Sequence, residues 1–163
     1  MSSLLALSIR GVRAFDSKTE QTIEFKKPLT VILGPNGCGK TTVIECLRFA
    51  TTGQLPPGSM SGKAFVHDCK VEETTEVKAS VKLLFEIAPG GNRYMSVRNM
   101  QLSQKKKTST FKQIDGVLRH IPMEGGVRGT SPTISGMGVG VVILVGLFFE
   151  FSFCLFVFFR ALG

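Results

Sequence analysis

An α/β fold organised around a phosphate-binding loop is predicted by three observations taken together. Residues 34–41 read Gly34-Pro35-Asn36-Gly37-Cys38-Gly39-Lys40-Thr41, the spacing G-x-x-x-x-G-K-T. Ahead of them, Leu29-Thr30-Val31-Ile32-Leu33 is a continuous apolar run rich in β-branched residues, as a buried strand should be. Behind them, Val43, Ile44, Leu47 and Ala50 recur at helical spacing, and Gly53 stands where a helix would stop. Strand, loop and helix in that order form the local context in which such a loop holds a nucleoside triphosphate.

The remaining elements follow from hydrophobic periodicity. Leu5, Leu7 and Ile9 alternate with Ala6, Ser8 and Arg10, predicting a half-buried strand that Gly11 to Phe15 turn out of. Thr22 to Phe25 repeat the alternation, and Pro28 closes it before the apolar run at 29–33. Residues 54–59 hold two prolines and a glycine and predict a rigid loop; residues 59–74 are short, polar and turn-like. Val77, Ala79, Val81 and Leu83 then share one face of a longer strand, and Pro89-Gly90-Gly91-Asn92 predicts a hairpin turn. Tyr94 to Leu102 return with alternation from Met95 through Val97, a basic turn follows at Lys105-Lys106-Lys107, and Phe111 opens another strand. Ile114, Val117, Leu118 and Ile121 have helical spacing, weakened by Gly116. The plan is a mixed sheet with an antiparallel meander.

The chemistry of the loop assigns roles. Glycines let its backbone adopt positive φ and approach a ligand closely. The loop N–H groups then converge at a helix N-terminus, where the macrodipole also favours an anion. Lys40 is placed to reach the β- and γ-phosphates, Thr41 to ligate Mg²⁺, and Thr42 to donate to the α-phosphate. Read alone, Arg10 and Arg13 are solvated charges at a strand end, Val66 is a core residue, Asp68 a turn residue, and His67 structural or exposed.

Composition sets the outer bounds. The 163 residues carry a net charge of +8 and a pI near 9.6, which favours an anionic partner. Cysteines at 38, 46, 69 and 154 form no C-x-x-C pair, so they read as reduced thiols, with neither a disulfide framework nor a zinc site expected. Met1 to Leu4 run straight into a strand, and no secretory signal is expected. The chain changes character near residue 121: residues 1–121 hold 18 of the 20 basic and 10 of the 12 acidic residues. Residues 122–163 form a Gly- and Phe-rich apolar tail, with seven of the 13 phenylalanines between Phe148 and Phe159. Met137 to Phe159 is 23 residues with one charge, Glu150, long enough to span a bilayer. The abrupt switch in composition favours an alternative reading frame, such as a retained intron, over a membrane anchor.

Residues 7–15, Leu7-Ser8-Ile9-Arg10-Gly11-Val12-Arg13-Ala14-Phe15, resemble the opening strand and turn of SMC-like ATPases. Joined to Gly34–Thr42, Ile44-Glu45-Cys46-Leu47, Thr52-Gly53, Leu55-Pro56-Pro57-Gly58 and Phe65-Val66-His67-Asp68, they resemble one family in particular. That family is the ATPase subunit of the eukaryotic MRN/MRX double-strand-break repair complex, the Rad-fifty family. The likeness covers residues 1–121 and includes Arg98-Asn99-Met100, Gln104-Lys105 and Phe111-Lys112.

The resemblance implies an α/β P-loop NTPase fold: the N-terminal lobe of an ABC/SMC-type head, incomplete in itself. It implies ATP and Mg²⁺ as ligands, with Asn36, Gly37, Gly39, Lys40, Thr41 and Thr42 around the phosphates, and Lys40 as the stabiliser of transferring charge. It sets Arg13 near the base or phosphates, and Val66 and Asp68 beside adenine and ribose. It further implies DNA, a nuclease subunit, the C-terminal half of the head and a second head as partners, and a nuclear, chromosomal location. The lysines at 105–107 are then either solvated or in contact with DNA phosphates. The chain contains no Walker B strand, Q-loop, ABC signature, coiled coil or C-x-x-C zinc hook, so the expectation is ATP binding with negligible turnover. Two rival readings are a self-contained small P-loop NTPase or kinase, and a non-enzymatic membrane-anchored regulatory fragment.

Overall fold

The computed structural model describes residues 3–87, 90–105 and 108–122, together with backbone strands at 133–135 and 155–157. Its strands are β1 (Ser3–Arg10), β2 (Gln21–Glu24), β3 (Thr30–Ile32), β4 (Glu76–Ile87), β5 (Asn92–Lys105), β6 (Thr108–Ile121), β7 (Thr133–Ser135) and β8 (Leu155–Val157); the helix α1 spans Lys40–Thr52. Six strands form an antiparallel sheet in the order β2-β1-β4-β5-β6-β7. The expected meander is its long-stranded half, β4 through β6. Parallel pairing is confined to a separate two-stranded sheet, β3 with β8.

One face of the large sheet carries the core, and α1 packs on it across β4 and β5. Val77, Ala79, Val81 and Leu83 are at most 2% exposed, as their alternation requires. On β1 the predicted triplet is altered. A register shift between Leu4 and Ala6 turns Leu4 inward beside Leu7 and Ile9, leaving Leu5 only partly buried. On β5 the core face is Ser96, Arg98, Met100 and Leu102. Met95 and Val97 line a cleft on the opposite face, with Arg10, Lys82 and Arg119 among its other walls.

Helix α1 occupies the predicted span and ends at Gly53, whose left-handed backbone donates its N–H to Phe49 O at 2.8 Å. Its buried face is Val43, Cys46, Phe49 and Ala50, so Ile44 points outward at 40% exposure. The helix is held to the sheet by Ser96, whose Oγ donates to Ala50 O at 2.9 Å in a buried bond contributing about 1 kcal/mol.

Two expectations are corrected. Residues 114–121 are strand, not helix: β6 pairs continuously with β5 from Lys105↔Thr108 to Arg93↔Ile121, with one irregularity at Asn99/Met100. The pairing places Gly116 opposite Arg98, and a Cβ there would lie 2.2 Å from Arg98 Nη1. Gly116 thus leaves room for the large buried side chain of β5, and tertiary packing overrides the helical spacing. The second correction concerns residues 29–33, whose apolar run predicts a buried strand. The β3 strand lies outside the large sheet, and Leu29, Val31 and Leu33 are 44%, 43% and 71% exposed.

Two short pieces of the apolar tail are described, β7 against β6 and β8 against β3. The rest of the 137–159 run lies outside the described residues, and among those described no helix is long and apolar enough to cross a membrane. Substituting Gly116→Ala forces the buried Arg98 guanidinium to move. The expected cost is about 1–3 kcal/mol in unfolding free energy by urea titration, against less than about 0.5 kcal/mol for Lys112→Ala at an exposed position of the same strand.

Candidate phosphate-binding site

The loop between β3 and α1 begins with a turn closed by Cys38 N–H to Pro35 O at 3.4 Å. Gly37 and Gly39 take φ of +85° and +93°, conformations a side chain strongly disfavours. Nothing lies within 4 Å of a Cβ built at Gly37, so the outer curve of the loop is open, whereas Gly39 is backed by the Phe15 ring at 3.3 Å from such a Cβ. Gly39 is the N-cap of α1 and offers no side-chain acceptor; Val43 N–H closes the first helical bond to Gly39 O at 3.1 Å.

The charge pattern at this helix start is one-sided. The first turn of α1 contains no acidic residue, although acidic side chains there would favourably offset the dipole. It contains Lys40, Thr41 and Thr42 instead. Lys40 is 4% exposed, and its ammonium donates to Gly34 O and Pro35 O, each at 2.6 Å, with Cys38 Sγ at 3.9 Å. Thr42 is buried, while Thr41, Asn36 and Gly37 face outward. The predicted phosphate residues are therefore together at one helix end, with Lys40 buried and an exposed hydroxyl at Thr41. That donor set suits a polyanion accompanied by a hard cation.

Arg13 reaches the same flank of α1 from the loop after β1. At Gly11, φ is +66° and an added Cβ would lie 2.6 Å from Lys78 O, so the chain turns away directly over β4. The turn is clasped to residues 65–72. Val12 bridges Val66, Arg13 N–H donates to Phe65 O at 3.1 Å, His67 N–H donates to Gly11 O at 2.9 Å, and His67 Nδ1 bonds Arg13 O. Farther along, Glu72 accepts from the Ser17 amide and hydroxyl, each at 2.6 Å, and lies 3.9 Å from His67 Nε2. Val66 is 4% exposed and part of the core; Asp68 is exposed and caps a turn through Lys70 N–H at 2.9 Å. The clasp carries both residues alongside the loop that bears Arg13. His67 is structural here.

Sequence reasoning missed Glu45, which pairs with Arg13 Nη2 at 3.1 and 3.0 Å through its two oxygens. Its signal was available: Glu45 follows Thr41 by one helical turn and so shares its side of α1. No sequence pattern announces Glu72, because Ser17 is 55 residues away. Next to Glu45, burial and the Glu45 charge push the Cys46 thiol up to about 12, so it is inert, whereas Cys38 is exposed in the loop. Of the basic turn, Lys105 closes β5; Lys106 and Lys107 lie outside the described residues.

An open-curved glycine loop opening a helix, with a buried lysine and no acid in its first turn, defines a P-loop ATPase domain. In agreement, an AAA-domain family model matches residues 6–124, and the chain belongs to that family. Within it the chain is similar to DNA repair protein RAD50. It is 52% identical over 125 residues to that of Saccharomyces cerevisiae, covering 77% of this chain and 9% of the relative. It is 48% identical over 118 residues to that of Schizosaccharomyces pombe, covering 72% and 9%. It is 40% identical over 148 residues to that of Dictyostelium discoideum, covering 90% and 11%. The chain thus spans about a tenth of the length of the relatives it matches, and the resemblance read from residues 7–15 and 34–68 holds.

The Glu72 clasp yields a pH prediction. Burial alone would raise the Glu72 carboxyl, but the Ser17 hydroxyl and amide donors outweigh it and hold the group below its usual range. A depressed folded pKa stabilises above the unfolded value, near about 4.3, and that contribution is lost as pH falls through the folded value. Unfolding midpoints measured from neutral pH into the acid range should therefore decline less steeply for Glu72→Gln than for the unaltered chain.

Proposed function

We propose that this chain binds Mg²⁺–ATP at residues 34–42 and serves as the N-terminal nucleotide-binding lobe of a DNA double-strand-break repair ATPase. The observation that carries the reading is the start of α1, where Gly39 caps without a side-chain acceptor and Lys40 is buried among loop carbonyls with no acid in the first turn. The loop and first-turn N–H groups of Asn36, Gly37, Gly39, Lys40, Thr41 and Thr42 bind phosphate oxygens, and Lys40 exchanges its carbonyl partners for the β- and γ-phosphates. The exposed Thr41 hydroxyl would hold Mg²⁺, which when bound would supply neutralisation of the phosphate charge. Arg13 faces the nucleotide from the flank, and Val66 and Asp68 border adenine and ribose on the clasped loop.

The activity of the whole protein is part of the same proposal. ATP hydrolysis needs a group that orients the attacking water, and no Walker B pattern occurs in this chain. The lobe alone therefore binds without appreciable turnover, and hydrolysis requires the C-terminal half of the head and a second head across the nucleotide. Exposure of Val31 on β3, of Leu29 and Leu33 on either side of it and of Ile44 on α1 supports such a missing neighbour, because an apolar run is stable when covered. DNA, a nuclease subunit of the MRN/MRX type and a nuclear, chromosomal setting complete the reading, in keeping with the DNA-repair names of the relatives.

Equilibrium titration of the 163-residue chain with a fluorescent ATP analogue and Mg²⁺ tests the binding. Lys40→Ala should weaken affinity by about 100-fold, roughly two charge-assisted hydrogen bonds lost to the phosphates. Equal affinity of the two chains would rule the reading out. Phosphate release by the unaltered chain should not exceed that of Lys40→Ala; a clear excess would place the missing catalytic group within these residues.

A further inference from the structure

We infer that Glu45 is a positioning residue for the nucleotide, holding Arg13 by one corner of its guanidinium so that the remaining edge can serve a phosphate. The inference rests on the ATP-binding reading above and concerns a residue that reading does not use. It begins from how firmly the Arg13 backbone is set. Arg13 has a φ of +47°, a conformation disfavoured for a residue with a Cβ, and it is locked there by its N–H to Phe65 O, its carbonyl to His67 Nδ1 and the neighbouring Val12–Val66 bridge. Such a backbone allows the side chain few approaches, and the observed one runs along α1.

The grip itself is one-sided. Both Glu45 oxygens lie against a single nitrogen, Nη2, at 3.1 and 3.0 Å, in contrast to a fork-to-fork pair that uses two. Arg13 Nε is buried without an acceptor among the described residues, so the fork keeps donor capacity that Glu45 does not take up. Glu45 Oε2 is likewise buried, and Arg13 Nη2 is its ion-pair partner among the described residues. One turn of helix separates Glu45 from Thr41, about 6 Å along the axis, within the span of an arginine side chain.

Electrostatics gives the pair a second consequence. A bare carboxylate on this side of α1, a turn from the phosphates, would repel a polyanion through partly buried surroundings. Arg13 neutralises it, and Glu45 in turn holds the Arg13 side chain along α1. Glu45 therefore helps nucleotide binding only while Arg13 is present, and Arg13 helps most while Glu45 holds it. Removing Arg13 alone leaves the repulsive carboxylate behind.

This reciprocity predicts a change of sign that a structural ion pair would not show. In fluorescent-ATP titrations of the 163-residue chain, Glu45→Gln should weaken affinity about 5-fold and Arg13→Ala about 30-fold. Adding Glu45→Gln to Arg13→Ala should restore about 3-fold of that loss, because the double variant no longer presents an unpaired carboxylate. Glu45→Asp, which keeps the charge on a shorter arm, should fall between Glu45→Gln and the unaltered chain. Thermal midpoints of all variants, read in parallel, should agree to within about 3 °C, since the pair is partly exposed. Unchanged affinity in Glu45→Gln, or a further loss in the double variant, overturns the inference while Lys40→Ala still weakens binding. If Lys40→Ala has no effect, the ATP-binding reading fails first and the inference with it. A large common drop in thermal midpoint would identify the pair as structural and also overturn it.

Discussion

The placement of α1 on the antiparallel sheet is the constraint on which the rest of this lobe depends. The helix buries Val43, Cys46, Phe49 and Ala50 against β4 and β5, and Ser96 ties Ala50 O to the sheet at 2.9 Å. Nearby, the Arg98 side chain runs between Gly53 and Gly116, each of which would meet it if given a Cβ. The far end of the helix is therefore located by packing that involves no ligand. Because α1 is rigid over its 13 residues, locating one end also locates the other, where the phosphate loop stands.

A second set of contacts brings the flanking loops to that end. The turn after β1 leaves over β4 at Gly11, rests Phe15 against Gly39, and is clasped by residues 65–72 through backbone bonds. Its cohesion comes from main-chain groups and from Glu72, which closes two donors of Ser17 at once. The Arg13 side chain, which reaches Glu45 of α1, is thereby presented on a frame whose own hydrogen bonds are already made. A preorganised frame of this kind lowers the ordering cost of binding a polyanion.

The core-bearing sheet and the phosphate loop are not stabilised in the same way. Along β4 the core face from Val77 to Phe85 is buried, and the other face carries Lys78, Lys82 and Glu86 with Leu84 among them. Along β3 Ile32 packs against the core while Val31 is exposed, and Leu33 is 71% exposed immediately before the loop. Such a strand reads as the edge of a larger assembly, consistent with a lobe covering about a tenth of its relatives' length. The burial is thus uneven: the large sheet is covered on its core face, while β3, paired with β8, keeps Val31 exposed.

How much of this was legible in the sequence follows from the range of the interactions involved. Local patterns sufficed for the strand–loop–helix order at 30–52, the face of β4 carrying Val77 to Leu83, and the cluster Gly37, Gly39, Lys40, Thr41 and Thr42, because each depends on residues within a few positions. Local patterns failed where a distant partner decided. Residues 114–121 have helical spacing, yet Gly116 is needed opposite Arg98 in a strand; the bulge at Leu4/Ala6 shifts which leucine enters the core. Ile44 fits a helical stripe by count, but the rotation of α1 on the sheet turns it outward. The sequence by itself therefore determined that a glycine-rich loop of G-x-x-x-x-G-K-T spacing joins a strand to a helix, and where it lies. Only the tertiary structure decided what surrounds it, namely the pairing of Arg13 with Glu45 and the clasp of Ser17 by Glu72, because those partners are 32 and 55 residues apart and meet only after the sheet has formed.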